Sequence, residues 1–106
     1  MSVESERRRR AIVDEIAALG PVAPGSIVER TTRCQRVGCH CRADPPRLHG
    51  PYPTWLRQVG GRPVTKTLTR EQAEQLRPLI NADRRLRSLV QELEALGADE
   101  MQAQLG

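Results

Sequence analysis

Cys34, Cys39, Cys41 and His49 fall in one short stretch with the spacing Cys34-x4-Cys39-x-Cys41-x7-His49, and any fold of this chain must accommodate them. Three cysteines are an odd number, and Cys39 and Cys41 stand too close together for an ordinary disulfide. Three thiolates and one imidazole do make a complete tetrahedral shell for Zn²⁺. Thiolate-rich tetrahedral sites favour zinc over magnesium or calcium. Gly38 lies just before Cys39, where a turn must bring the backbone close to the ion. The shell is closed, so the expected ion is structural, since catalytic zinc keeps a position open for water. His40 is an alternative fourth ligand, but it sits between two ligating cysteines, where chelation would be strained. The bland alternative is three buried thiols acting as small hydrophobes, with His49 a loop residue. A loop rich in Gly and Arg gives them little to be buried against.

The rest of the composition also calls for a staple. The chain has 106 residues, is 38% hydrophobic, and contains one Trp, one Tyr and no Phe. Aromatic side chains bury the most area each, so a core drawn from this set is thin. Small domains of this kind are commonly held by a metal, a disulfide or a partner. A structural zinc supplies roughly 10 kcal/mol or more of apparent binding energy. That is comparable with the whole stability of a typical domain, at about 5–15 kcal/mol. No run of 18 apolar residues occurs, and no apolar segment follows the acidic and Arg-rich start, so the sequence reads as cytoplasmic with no membrane partner.

The spacing of apolar residues predicts an α+β chain. Ile12, Ile16 and Leu19 mark one face of a helix over 4–19, with Ala11 and Val13 broadening the stripe. Ser2 or Ser5 can cap it, and Gly20-Pro21 stops it. Residues 26–31 are β-rich and lead into the zinc loop as a short strand. Residues 52–59 and 62–68 flank Gly60-Gly61 and predict a hairpin with a tight turn. Tyr52 and Leu56 fall on one side of that hairpin, and Trp55, Arg57 and Val59 on the other. Pro53 and Pro63 lack ladder donors and belong at edges or strand ends. Thr69 caps the next helix, with Gln72 as its reciprocal partner. Pro78 should kink that helix or split it in two. Leu79, Ala82, Leu86, Leu89, Leu93 and Leu96 then alternate spacings of three and four, forming a seam that packs on the first helix or on a second copy of the chain. Gly97 is the expected end. The expected organisation is one zinc-stabilised domain over 1–97, made of helix 4–19, a zinc-loop and hairpin module 26–68, and helices 70–96. Residues 98–106 are expected to be a frayed tail.

The three cysteines together with the run His49-Gly50-Pro51-Tyr52 resemble an uncharacterised small bacterial domain family found among transposase-type mobile-element genes. Its members share the Cys-x4-Cys-x-Cys and His-Gly-Pro-Tyr patterns, a Gly-containing hairpin and a leucine-bearing C-terminal helix. The resemblance covers about residues 25–96. Gln35 stands where many members have Gly, which puts the turn after Cys34 in question. The resemblance supports the metal site and implies no particular activity.

Charge is blocked along the chain. Residues 1–29 carry four Arg against five acids, residues 30–70 nine basic side chains against Asp44 alone, and residues 71–106 four Arg against seven acids, within a net charge of +4. A basic block of this kind predicts an anionic partner for the middle region. Nucleic acid, DNA before RNA, is the first expectation. Its contacts would be Arg33, Arg36, Arg42 and Arg47 around the metal loop and Arg57, Arg62 and Lys66 along the hairpin. Trp55 is read as a core residue before a base-stacking platform. A protein-interaction adaptor or homodimer through Leu79, Leu86, Leu89, Leu93 and Leu96 is the second expectation. Catalysis ranks last. No phosphate-binding loop, dinucleotide fingerprint or nucleophile elbow is present, and Asp44 alone offers no paired carboxylate chemistry. A catalytic reading would rest on Cys39 or Cys41 as a reactive thiol.

Overall fold

The computed structural model describes residues 2–33, 36–43 and 47–106. The elements run α1 (Val3–Ala17), β1 (Ser26–Thr32), a single 3₁₀ turn (His40–Arg42), β2 (His49–Val59), β3 (Arg62–Thr67) and α2 (Arg70–Leu105). This is the expected α+β order. The chain divides into two compact units, Met1–Ala23 with Leu79–Gly106, and Pro24–Pro78. Among the described residues, no helix is long and apolar enough to cross a membrane.

In the helical unit, the Ser2 side chain accepts a hydrogen bond from the Ser5 amide at 3.0 Å and caps α1. Glu4 and Glu6 occupy the first turn, where the helix dipole favours acids. Ile12 is fully buried, and Ile16 and Leu19 are half-buried, as the spacing predicts. Ala11 and Val13 do not broaden the stripe, because both are exposed. Cross-links fix the direction of α2 against α1. The Ser2 amide donates to Glu100, Arg8 pairs with Glu92, Arg85 pairs with Glu15, and the Ala23 amide donates to the Leu79 carbonyl. Partners on α2 fall in number as those on α1 and its extension rise, so the two are antiparallel.

Of the two alternatives at Pro78 the split does not occur, and the expected stop at Gly97 is corrected. Pro78 lies inside α2 without splitting it. Pro78 removes one backbone donor, and strong helix formers stand on both sides of it. Gly97 does not end α2, and residues 98–105 continue the helix. A glycine costs only about 1 kcal/mol relative to alanine. Alanine, leucine, glutamate and glutamine around it favour helix, and the Ser2–Glu100 hydrogen bond holds the far turn. Along α2, Ile80, Asp83 and Leu89 are buried, whereas Leu79, Leu86, Leu93 and Leu96 are half-buried. The inward face is therefore rotated from a strict leucine seam. Arg87 donates to Asp83 at 2.8 Å, which keeps that carboxylate partnered.

In the sheet unit, three antiparallel strands take the order β1-β2-β3. Gly60 and Gly61 both have positive φ, 58° and 79°, as a two-residue hairpin turn demands. Register runs from Val59 opposite Arg62 to Thr54 opposite Thr67. Pro63 sits on the edge strand as expected, but Pro53 lies within the central strand β2, opposite Glu29. Its carbonyl accepts from the Leu68 amide at 2.8 Å, just past the end of β3. A residue's N–H and C=O point to the same side of an antiparallel strand. The donor that Pro53 lacks would thus have pointed to Leu68, just past the end of β3, so no bond within the β2–β3 ladder is lost. Thr69 and Gln72 then exchange hydrogen bonds of 2.9 and 3.0 Å, giving the reciprocal cap of α2. Ala73, on the first turns of α2, is buried in this unit.

Candidate metal centre and basic sheet face

Cys39 precedes the 3₁₀ turn in an extended conformation, and Gly38 before it has φ of 83°. The turn is closed by the Arg42 amide donating to the Cys39 carbonyl at 2.9 Å. The amides of Ala43 and Arg47 both donate to the His40 carbonyl. These bonds curl the backbone so that the thiols of Cys39 and Cys41 approach each other. Cys41 is completely buried, while Cys39 is half-buried.

His49 reaches the same point from β2 through a break in register. Arg30 pairs with Tyr52, but Thr32 pairs with His49, so β2 carries one extra residue there. Such a bulge re-aims the side chains beyond it. Gly50 makes it feasible. Its φ is 108°, and an added Cβ would meet the Arg30 carbonyl at 2.8 Å and the Tyr52 amide at 2.9 Å. Both neighbours are backbone and cannot step aside. The His49-Gly50-Pro51-Tyr52 run is therefore a device for offsetting His49 within a paired strand.

The ligand atoms of Cys39, Cys41 and His49 all lie within 4.8 Å of one another. His49 Nε2 is 3.2 Å from Cys39 Sγ. Tetrahedral zinc with bonds of about 2.0–2.3 Å places neighbouring donors about 3.5–3.8 Å apart. Small side-chain adjustments bring these three atoms to that spacing, so the group can hold a metal ion. His40 is not part of the group. Its Nδ1 lies 3.9 Å from Cys39 Sγ, and its ring stands 4.9 Å from that of His49. Cys34, the fourth expected ligand, lies outside the described residues.

The basic residues singled out in the sequence fall in two places. Arg33, Arg36, Arg42 and Arg47 are exposed beside the metal loop. Arg57, Arg62 and Lys66 share one side of the hairpin with Trp55, because Trp55 pairs with Lys66, Arg57 with Val64, and Val59 with Arg62. The Arg57 guanidinium lies over the Trp55 ring, 3.8 Å from its centroid. The Trp55 indole N–H donates to the Pro24 carbonyl at 2.8 Å. Sequence reading missed two features here, the bulge at Gly50 and the Arg70–Glu29 ion pair. The Arg57–Trp55 stack had a signal, since a Trp-x-Arg step in a strand puts both on one face.

Neither the curated proteins nor the solved structures contain a match to this chain. A family described as "Domain of unknown function (DUF6788)" matches residues 3–78. The matched stretch takes in α1, all three strands, Cys39, Cys41, His49 and Gly50, and stops before Leu79. It begins earlier and ends earlier than the expected span of about 25–96, leaving the leucine-bearing part of α2 outside. With most of its length matched, the chain belongs to the DUF6788 domain family.

Proposed function

We propose that this chain is a zinc-stabilised module that binds nucleic acid through the cations of its sheet unit. Zinc follows from the donors. Two thiolates and an imidazole suit zinc and exclude the oxygen-seeking cations, and Cys34 is the natural fourth ligand. The ion would tie the start of β2 to the 3₁₀ turn, linking strand and loop in a unit with few large apolar residues.

The nucleic-acid reading is carried by one contrast in charge pairing. In the helical unit Arg8, Arg9, Arg10, Arg85 and Arg87 each pair with a carboxylate, while Arg7 and Arg84 have no carboxylate partner among the described residues. In the sheet unit Arg70 and Arg77, both on α2, pair with Glu29 and Glu74. Arg33, Arg36, Arg47, Arg57, Arg62 and Lys66 have no carboxylate partner among the described residues. A folded surface that leaves so many cations uncompensated supports a polyanionic ligand. DNA is favoured over RNA.

A salt titration on random-sequence DNA tests the proposal. Three or four phosphate contacts predict that affinity falls roughly 40- to 150-fold between 50 and 200 mM salt. Binding that is unchanged over this range, or absent at both ends, contradicts it.

A second reading, a homodimer through α2, has Leu86 and Val90 in its favour, which line an open groove with Asp83 and Arg87. Leu89 counts against the full leucine seam, because it is completely buried within its own chain. Mass measurement in solution separates the two readings.

A further inference from the structure

The register of the hairpin arranges its cations as a ladder. Residues directly opposite each other on paired strands point to the same side, and the next pair on that side lies two residues along. Arg62 stands at the level of Val59, Arg57 at the level of Val64, and Lys66 at the level of Trp55. Successive levels are about 7 Å apart along the strands. One positive charge therefore occurs at each of three consecutive levels, on alternating strands. The carboxylate on this side, Glu29, comes one level further on, opposite Pro53, and Arg70 grips both of its oxygens. The hydroxyls and amide of Thr54, Thr65 and Gln58 point to the other side.

Trp55 is already committed on this face. Its N–H is bonded to the Pro24 carbonyl, and Arg57 covers its ring. The Pro24-Gly25 segment lies close against the pair. A Cβ on Gly25 would meet the Leu56 carbonyl at 2.1 Å and Trp55 Nε1 at 3.0 Å, and the Gly25 φ is 96°. A guanidinium held over an aromatic ring by cation–π attraction keeps N–H groups that can still donate to a phosphate. Proteins that hold single strands depend on open aromatic platforms for unpaired bases. This face offers none, and Tyr52 points to the opposite side.

Resting on the nucleic-acid reading above, we infer that this hairpin face seats on the sugar-phosphate backbone of duplex DNA. Arg62, Arg57 and Lys66 contact successive phosphates, and no base is read. Trp55 acts as a positioning residue for Arg57. Contacts of this class set orientation and affinity but carry no sequence information.

Fluorescence anisotropy of the full zinc-loaded chain, with random, AT-rich and GC-rich duplexes and a random single strand over 50–200 mM salt, tests the inference. Arg57→Ala/Arg62→Ala/Lys66→Ala should flatten the log–log salt slope on duplex by about 2.7, roughly 0.9 per lost phosphate. The three duplexes should bind within about threefold of one another, and all should bind more tightly than the single strand. Trp55→Ala should lower the slope by about the same 0.9 as Arg57→Ala, with no further loss when both are changed, and Trp55→Phe should restore it. If the parent binds and the triple variant keeps its slope, the ladder is wrong while the nucleic-acid reading stands. Tighter single-strand binding, or preference for one duplex beyond about tenfold, overturns the inference in the same way. If the parent binds nothing at any salt, the reading itself fails and the ladder falls with it.

Discussion

His49 Nε2 lies 3.2 Å from Cys39 Sγ, although one residue belongs to a paired strand and the other to a loop ten positions earlier. Two local devices produce this meeting. A 3₁₀ turn curls Cys39 and Cys41 inward, and a bulge at Gly50 offsets His49 by one residue against β1. Both are features of the backbone, and together they bring the donors of loop and strand to one point.

Gly50→Ala tests the second device. At a φ of 108° and with two backbone atoms inside 3 Å of the new Cβ, alanine should cost about 2–4 kcal/mol. Thermal melting should show a drop on the order of 10 °C or more, together with weaker metal retention. Melting indistinguishable from the parent would mean that the bulge is not needed to place His49.

The cap of α2 makes a smaller prediction. Thr69→Ala removes the hydroxyl that accepts from the Gln72 amide and should cost about 1 kcal/mol in denaturant unfolding. Gln72→Ala removes the return bond to the Thr69 amide and should be milder. Equal and negligible effects would show that the reciprocal cap contributes nothing to stability.

Much of this architecture was legible in the residues. Gly60-Gly61 announced the hairpin because only glycine readily supplies two consecutive positive φ angles. Thr69 and Gln72 announced the helix start through their spacing. Cys39, Cys41 and His49 were legible because thiols and imidazole at such short separations have few other common uses. The misses share a cause. Pro53 looked misplaced in a strand and Gly97 looked like a stop, because each was judged by local preference alone. Pro53 is tolerated where β3 ends, and Gly97 lies among strong helix formers. The role of Gly50 depends on the register of β1 against β2, and register is a property of two segments that neither displays alone.

Leu89 should dominate the helical unit. It is completely buried, so Leu89→Ala should cost about 2–5 kcal/mol, whereas Leu96→Ala, at a half-buried position, should cost clearly less. Chemical denaturation followed by far-ultraviolet ellipticity reads both. A larger loss at Leu96 would indicate that the seam is used in another way, as in a dimer.

Acid should loosen the same unit modestly. Hydrogen bonds from Arg9, with help from Arg10, pull the Glu6 carboxyl from its ordinary 4.5 down to about 2. The bond from Arg85 lowers that of Glu15. A carboxyl with a depressed folded pKa contributes stability that is present above its unfolded value and lost as pH falls through the folded one. The Glu6 contribution should therefore fade between about pH 4.5 and pH 2. These groups face solvent, so the effect is small and weaker in high salt. Glu15→Gln should remove part of the acid response in a pH titration of helical signal. An identical acid response in parent and variant would show that the Arg85 pair plays no part.

The central claim is that Cys39, Cys41 and His49 close on one zinc ion and that the sheet unit depends on it. Elemental analysis of protein purified without chelator tests this most directly. The account predicts about one zinc per chain, lost together with the sheet unit's thermal transition when a strong chelator is added. Less than roughly half an equivalent of zinc, with a melting profile that chelator leaves unchanged, would contradict it.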